Sequence, residues 1–216
     1  KIRVTTGVKD SAGNTLSSQY ETSSGFSTWS GTQQLGSSSS DEGWGVSVDS
    51  SGNIYVTGTT DGGILDGDTA FGQYDMILVK YNSSGTKQWT RQLGTADMDY
   101  AYEVTVDNSS NIYVTGFTQR GLDNNTSSGG YDIILVKYNS SGTKQWTKQF
   151  GTSNHDVGKG VTVDSNDNIY VTGKTGGGLD NNTNSGGYDI FLVKYNSSGT
   201  KQWTQQLGTT ETDWGE

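Results

Sequence analysis

Carboxylates and amides dominate the side chains of this 216-residue chain that have the chemistry to bind or catalyse. The segment Gly121-Leu122-Asp123-Asn124-Asn125-Thr126 recurs at Gly178-Leu179-Asp180-Asn181-Asn182-Thr183. Asp66 and Asp68 fall in the corresponding stretch of the first third. Calcium takes about six to eight hard oxygens, so Asp123, Asn125, Asp180, Asn182, Asp66 and Asp68 are candidate calcium ligands. The same residues also serve as turn formers that bond their own backbone. Their spacing fits neither an EF-hand loop nor the calcium β-helix nonapeptide.

Aromatic residues suggest a second chemistry. Sugar sites pair aromatic faces with polar groups, and Trp44, Tyr100, Tyr102 and Trp214 differ from one part of the chain to the next as ligand contacts do. Glycans are therefore candidate partners. Trp89, Trp146 and Trp203 recur at intervals of 57 residues, which points to packing. Catalysis finds little to work with. The chain has no cysteine and one histidine, His155. That excludes thiolate sites and a multi-histidine metal centre, and leaves triad chemistry to His155 alone. Paired carboxylates such as Asp66 and Asp68 could do acid–base work at a loop mouth, but acidic loops are ordinary surface. The chain is expected not to be an enzyme, and no catalytic residue is assigned.

These candidates need a scaffold, and the sequence spells one out. The block from Gly130 to Thr147 returns at Gly187, with a near copy from Gln73. Asn-Ile-Tyr-Val-Thr-Gly begins at Asn53, Asn111 and Asn168. Internal repeats of this length mark propellers and solenoids. In the middle unit four short strands are expected: A over 103–106, B over 111–117, C over 132–138 and D over 144–150. An Asp-Asn-Ser-Ser turn joins A to B, and Asn-Ser-Ser-Gly makes the C–D hairpin. Strand C is apolar on both faces and must be covered on both. The expected fold is all-β, a β-propeller-type repeat of four-stranded antiparallel blades, whose sheets each pack between two neighbours. The repeats occupy 29–216, with units at 36–93, 94–150 and 151–207 and a partial fourth at 208–216. Residues 1–28 form a separate N-terminal β segment. Lys80, Lys137 and Lys194 recur within strand C and need partners. Asp49, Asp107 and Asp164, at the ends of the A strands, are expected to form structural ion pairs with them.

The blocks Gly-Asn-Ile-Tyr-Val-Thr-Gly, Tyr-Asp-x-x-Leu-Val-Lys-Tyr-Asn-Ser-Ser-Gly-Thr-Lys-Gln-Trp-Thr and Gln-Leu-Gly-Thr resemble the bacterial beta-propeller (SBBP) repeat. The stretch Val8 to Asn14, with Phe26 to Thr28, resembles the tail of a bacterial immunoglobulin-like domain. The resemblance implies a bacterial protein, extracellular or on the cell surface, with a structural, assembly or adhesive role and no transferable catalytic residues. A calcium-assisted propeller lectin is one alternative, and a hydrolase or lyase working at the propeller mouth another. A net charge of −9 argues against nucleic acid as a partner. No apolar run approaches the length needed to span a membrane as a helix. Open blade edges, together with residues 1–28, point to self-association.

Overall fold

The computed structural model describes residues 3–4, 20–21, 34–65, 67 and 69–215. The chain divides into two compact units, residues 1–34 and 35–216. In the first, β1 (Arg3–Val4) pairs antiparallel with β2 (Tyr20–Glu21). Strands are also expected from Phe26 and, as a further strand D, over Trp29–Leu35; residues 26–33 lie outside the described residues, and Gln34 and Leu35 are not in a strand.

The second unit is three blades. Blade one holds β3 (Asp41–Val48), β4 (Ile54–Asp61), β5 (Tyr74–Tyr81) and β6 (Lys87–Leu93). Blade two holds β7 (Asp99–Val106), β8 (Ile112–Thr118), β9 (Asp132–Tyr138) and β10 (Lys144–Phe150). Blade three holds β11 (Asp156–Val163), β12 (Ile169–Thr175), β13 (Asp189–Tyr195) and β14 (Lys201–Leu207). Each is an antiparallel meander in sequence order. Strands C and D of the middle unit fall where the alternation of side chains puts them. Strand A begins four residues earlier than its apolar pattern suggested, at Asp99, because a β-bulge breaks the alternation between Ala101 and Glu103.

Blades stack face to face, with β7 against β3, β4 and β5, and β11 against β7, β8 and β9. Two apolar cores fill the junctions. One joins Tyr55, Met76 and Leu78 to Val104, Ile112 and Ile134. The other joins Tyr113, Ile133 and Leu135 to Val161, Ile169 and Phe191. Strand C of the middle blade is thus covered on both faces, as its composition demands.

The crossing between blades is fixed by a repeated carboxylate. Asp132, fully buried at the head of β9, accepts the Ser128 N–H and the Gln149 side-chain amide, both at 2.8 Å, through one oxygen. Asp75 with Gln92 and Asp189 with Gln206 do the same. In all three the other oxygen, Oδ1, is buried without a hydrogen-bond donor. It lies where the Cβ of the next connector's glycine would go: Gly94, Gly151 or Gly208. Only glycine lets the connector pass that close, which accounts for the Gly of the recurring Gly-Thr pair. Asp99 and Asp156 then open the next strand, and Asp213 holds the same place after blade three; each accepts the backbone N–H four residues before it. The Asp156 and Asp213 N–H groups donate to the Tyr131 and Tyr188 carbonyls of the preceding blade.

Blade faces at the two ends of the stack are exposed. Val46 is 64% exposed, whereas its equivalent Val104 is 2% exposed; Leu192 is 38% exposed, whereas Leu135 is fully buried. Val48, Trp203 and Leu207 are exposed in the same way.

Candidate functional site

The bulges in the A strands aim three side chains away from the ladder. Each follows a pairing of a small residue with glycine (Gly43 with Gly58, Ala101 with Gly116, Gly158 with Gly173), and the residue that the register skips is Trp44 in β3, Tyr102 in β7 and Lys159 in β11. The strand opposite carries glycine at each bulge. At Gly116 a Cβ would overlap the Tyr100 carbonyl oxygen, and Gly58 and Gly173 are in the same position. Bulges commonly re-aim side chains at rims and binding sites. Here the small residue before the bulge and the glycine opposite it are constant, while the aimed residue changes from blade to blade.

These side chains meet a continuous aromatic run. Trp44 meets Tyr102 edge-on with centroids 5.5 Å apart. Tyr100 stacks on Phe117 at 5.0 Å and touches Tyr74 at 5.1 Å. Phe117 leads to Tyr131 at 4.4 Å, and Tyr131 to His155 at 4.3 Å. The Lys159 ammonium lies 3.7 Å from the Tyr102 ring centre. Lys174 sits over both Tyr188, at 4.5 Å, and Trp214, at 4.0 Å. Between Tyr100, Tyr102, Phe117 and Tyr131 on one side and Lys159, Lys174 and Tyr188 on the other is a groove of about 320 Å³. That volume falls in the small-ligand range of about 300–1,000 Å³.

Burial pushes the Tyr100 hydroxyl up to about 12, helped by Tyr74, Tyr102 and Glu42. Tyr102 is raised by burial too. Both hydroxyls are neutral at ordinary pH, as tyrosines generally are, and can donate or accept hydrogen bonds. Of the four aromatics proposed from the sequence, Tyr100 and Tyr102 line the groove, Trp44 adjoins it through Tyr102, and Trp214 adjoins it through Tyr188. Sequence reading missed Phe117, Tyr131, Tyr188, Lys159 and Lys174. The signal for Phe117, Lys159 and Lys174 was available: each stands where the repeat changes residue.

The remaining candidates have other occupations. Asp123 and Asn124 take positive φ, 52° and 64°, as do Asp180 and Asn181 in the short 3-10 turn Leu179–Asn181. The first of these turns plugs Leu122 into the core at 2% exposure, with its N–H bonded to the Gln149 side chain at 2.8 Å; the second does the same with Leu179 and Gln206. The Asp123 carboxylate faces inward to strand D, where it meets the Lys144 ammonium and the Thr147 hydroxyl. Asp180 meets Lys201, at 2.6 Å, and Thr204. Burial alone would raise the Asp180 carboxyl, but Lys201 and Thr204 outweigh it and hold it below its ordinary value. Asn125 and Asn182 each donate their side-chain amide to a leucine carbonyl of the same turn. Asp66 and Asp68 lie outside the described residues. Among the described residues no group of three or more His, Asp or Glu is placed to hold a metal.

The ion pairs expected between the strand C lysines and the A-strand aspartates are replaced by two separate devices. Asp49 is consumed by its own turn, accepting the Ser51 and Asn53 N–H groups, the Asn53 amide and the Tyr55 hydroxyl. Asp107 and Asp164 bind the same set. Lys80 reaches the other way, to the Ser140 carbonyl in the C–D hairpin of the next blade, and packs over Tyr55. Lys137 makes the matching bond to Ser197, and Lys194 lies over Tyr170. A hairpin carbonyl satisfies a lysine at far lower desolvation cost than a buried carboxylate pair would. His155 is exposed, and its Nδ1 accepts the Tyr131 N–H at 3.1 Å.

The family model of the beta-propeller repeat (SBBP) matches residues 31–66, 88–121 and 145–180. The chain is built of SBBP repeats. The second and third matches run from strand D of one blade through strands A and B of the next. Each SBBP match thus spans the glycine connector, the bulged strand and the start of the B–C loop. The chain is 28% identical over 173 residues to "Regulatory protein FlaEY" of Caulobacter vibrioides, covering 73% of this chain and 18% of that protein. It is 31% identical over 168 residues to an uncharacterized WD repeat-containing protein of Acanthamoeba polyphaga mimivirus, covering 65% of this chain and 12% of that protein. The chain spans less than a fifth of the length of either relative.

Proposed function

We propose that this SBBP chain is a non-catalytic scaffold that stacks on further SBBP blades and presents the aromatic rim as a binding surface, in an extracellular or cell-surface setting. The observation that carries it is the pair of exposed faces at the ends of the stack. Val46 and Val48 repeat residues that are covered in blades two and three; Leu192 and Leu207 repeat residues that are covered in blades one and two. Each exposed face therefore has a demonstrated complement inside the chain, and the occupant that fits is another SBBP blade. Apolar faces of this kind mark association surfaces. A repeat array presents surface rather than chemistry, and the engaged acceptor of His155 agrees with that.

Analytical ultracentrifugation of the purified chain over a hundredfold concentration range tests the reading. Self-association is expected, and Val46→Asp or Leu207→Asp on its own should abolish it by placing a charge in the junction. A wild-type chain that sediments as a monomer throughout would overturn it.

A further inference from the structure

We infer that the exposed face of blade three is a socket for the C–D hairpin of blade one in a second copy of the chain, so that copies join head to tail, with Lys194 bonding the Ser83 carbonyl of the next copy. The inference rests on the reading of the end faces as association surfaces and names the element that one face takes from the other. Both internal junctions carry the contact that it extends. The Lys80 ammonium donates to the Ser140 carbonyl at 3.1 Å, and the Lys137 ammonium to the Ser197 carbonyl at 3.3 Å. Each bond reaches from strand C of one blade to the hairpin of the next. Each of these lysines also lies over a tyrosine of its own blade, 5.2 Å from the ring centre, so the ring contact and the hairpin bond coexist. Lys194 keeps the ring contact, 5.4 Å from the centre of Tyr170. Among the described residues no further hairpin follows blade three for its ammonium to reach.

The hairpin that fits is already formed at the other end of the stack. Asn82 to Thr86 repeats the sequence of Asn139 to Thr143 and of Asn196 to Thr200. Its fold is locked in the same way. The Asn82 side-chain oxygen accepts the Ser84 N–H and hydroxyl and the Thr86 N–H, as that of Asn139 does with Ser141 and Thr143. Ser83 matches Ser140 and Ser197 and is exposed. The apolar surroundings agree. Leu192, Trp203 and Leu207 are exposed, and their counterparts Leu135, Trp146 and Phe150 pack with Val161 and Val163 of the following blade. Val46 and Val48 are the blade-one equivalents of those valines and are exposed too. A two-fold pairing satisfies neither face. Lysine face on lysine face opposes two ammonium groups without an acceptor, and hairpin face on hairpin face leaves both Ser83 carbonyls without a donor. The contact is therefore heterologous, and copies form an open chain or a ring.

The test uses the intact chain in two variants, Val46→Asp, which keeps only the lysine face, and Leu207→Asp, which keeps only the hairpin face. Circular dichroism confirms that every variant is folded, and analytical ultracentrifugation reads the assembly. Each variant alone is expected to be a monomer, and their equimolar mixture a one-to-one heterodimer with nothing larger. Adding Lys194→Met to the Val46→Asp chain should weaken the heterodimer about tenfold or more, the loss of a hydrogen bond from a charged donor. Lys194→Arg in that chain should restore much of it, and Lys194→Met in the Leu207→Asp chain should change nothing. A variant that still dimerises alone would reveal a two-fold contact and overturn the polarity. A mixture that stays monomeric while the wild type associates would mean that another occupant covers the lysine face, and would overturn the inference. So would a heterodimer indifferent to Lys194→Met. In all three cases the wild type still associates and the scaffold reading stands, whereas a monomeric wild type would overturn both.

Discussion

Replacing Asp132 separates hydrogen bonding from charge at the blade crossing. In Asp132→Ala, the Ser128 N–H and the Gln149 amide lose their common acceptor. Gln149 is the same side chain that holds the Arg120 carbonyl and the Leu122 N–H, so the B–C loop loosens with it. Two hydrogen bonds to a charged acceptor are worth about 1.5–3 kcal/mol each. Removing a fully buried carboxylate whose Oδ1 has no donor recovers part of that. The expected net loss is about 2–4 kcal/mol, or roughly 4–16 °C in Tm for a chain of this size. Asp132→Asn behaves differently. Its amide oxygen keeps both donors, and its new N–H₂ replaces Oδ1 beside Gly151, where one oxygen of Asp156 also lies. A donor there meets an acceptor, so Asp132→Asn is expected to cost less than about 1 kcal/mol, or to stabilise. Thermal melts and urea titrations of the two variants decide the matter. If Asn costs as much as Ala, the negative charge itself is required and the account of the orphaned oxygen is wrong.

Gly116→Ala should lose several kcal/mol and fail to express as a folded chain, because its Cβ overlaps a backbone carbonyl that cannot yield; a near-native melt would show that the bulge is not rigid. Leu122→Ala should cost about 2–5 kcal/mol by opening a cavity in a fully packed junction, read by urea unfolding. Chelator should leave the melting temperature unchanged, since Asp123 and Asp180 already hold lysines, and a clear fall in Tm would return calcium to these loops. Stability should also depend on pH at both extremes. Asp164 is held at about 2 by the Asn168 amide, against an ordinary value of 3.8, and Asp49 and Asp180 are lowered as well. Their contribution is complete above about pH 4 and is lost as the pH falls toward 2. Tyr100 is raised to about 12, and burial raises Tyr55, Tyr113 and Tyr195 further, so the fold should weaken as the pH climbs above 10. Melts from pH 2 to 11 that stay flat would contradict both assignments.

By itself, the sequence determined the blades. Strand C from Asp132 to Tyr138 and strand D from Lys144 to Phe150 were legible to the residue, because period-two alternation and a hairpin of fixed chemistry are local signals. The repeat set the number of blades, and two-faced apolar strands dictated that they stack. Where residues 99–102 run, however, only the tertiary structure decided. A bulge obeys neither period, and its benefit lies in where it sends Tyr102 relative to another blade. The lysines show the same limit. Recurrence established that Lys80 needs a partner, but a turn aspartate and a hairpin carbonyl 60 residues away look alike until the blades are stacked. The rim was half legible, since a break in a repeat marks Trp44, Tyr100, Tyr102 and Trp214 as free to differ. That these four join Phe117, Tyr131, Tyr188, Lys159 and Lys174 in one aromatic and cationic surface was not legible. Their proximity comes from the rotation between successive blades, a property of packed faces that no local stretch of chain encodes.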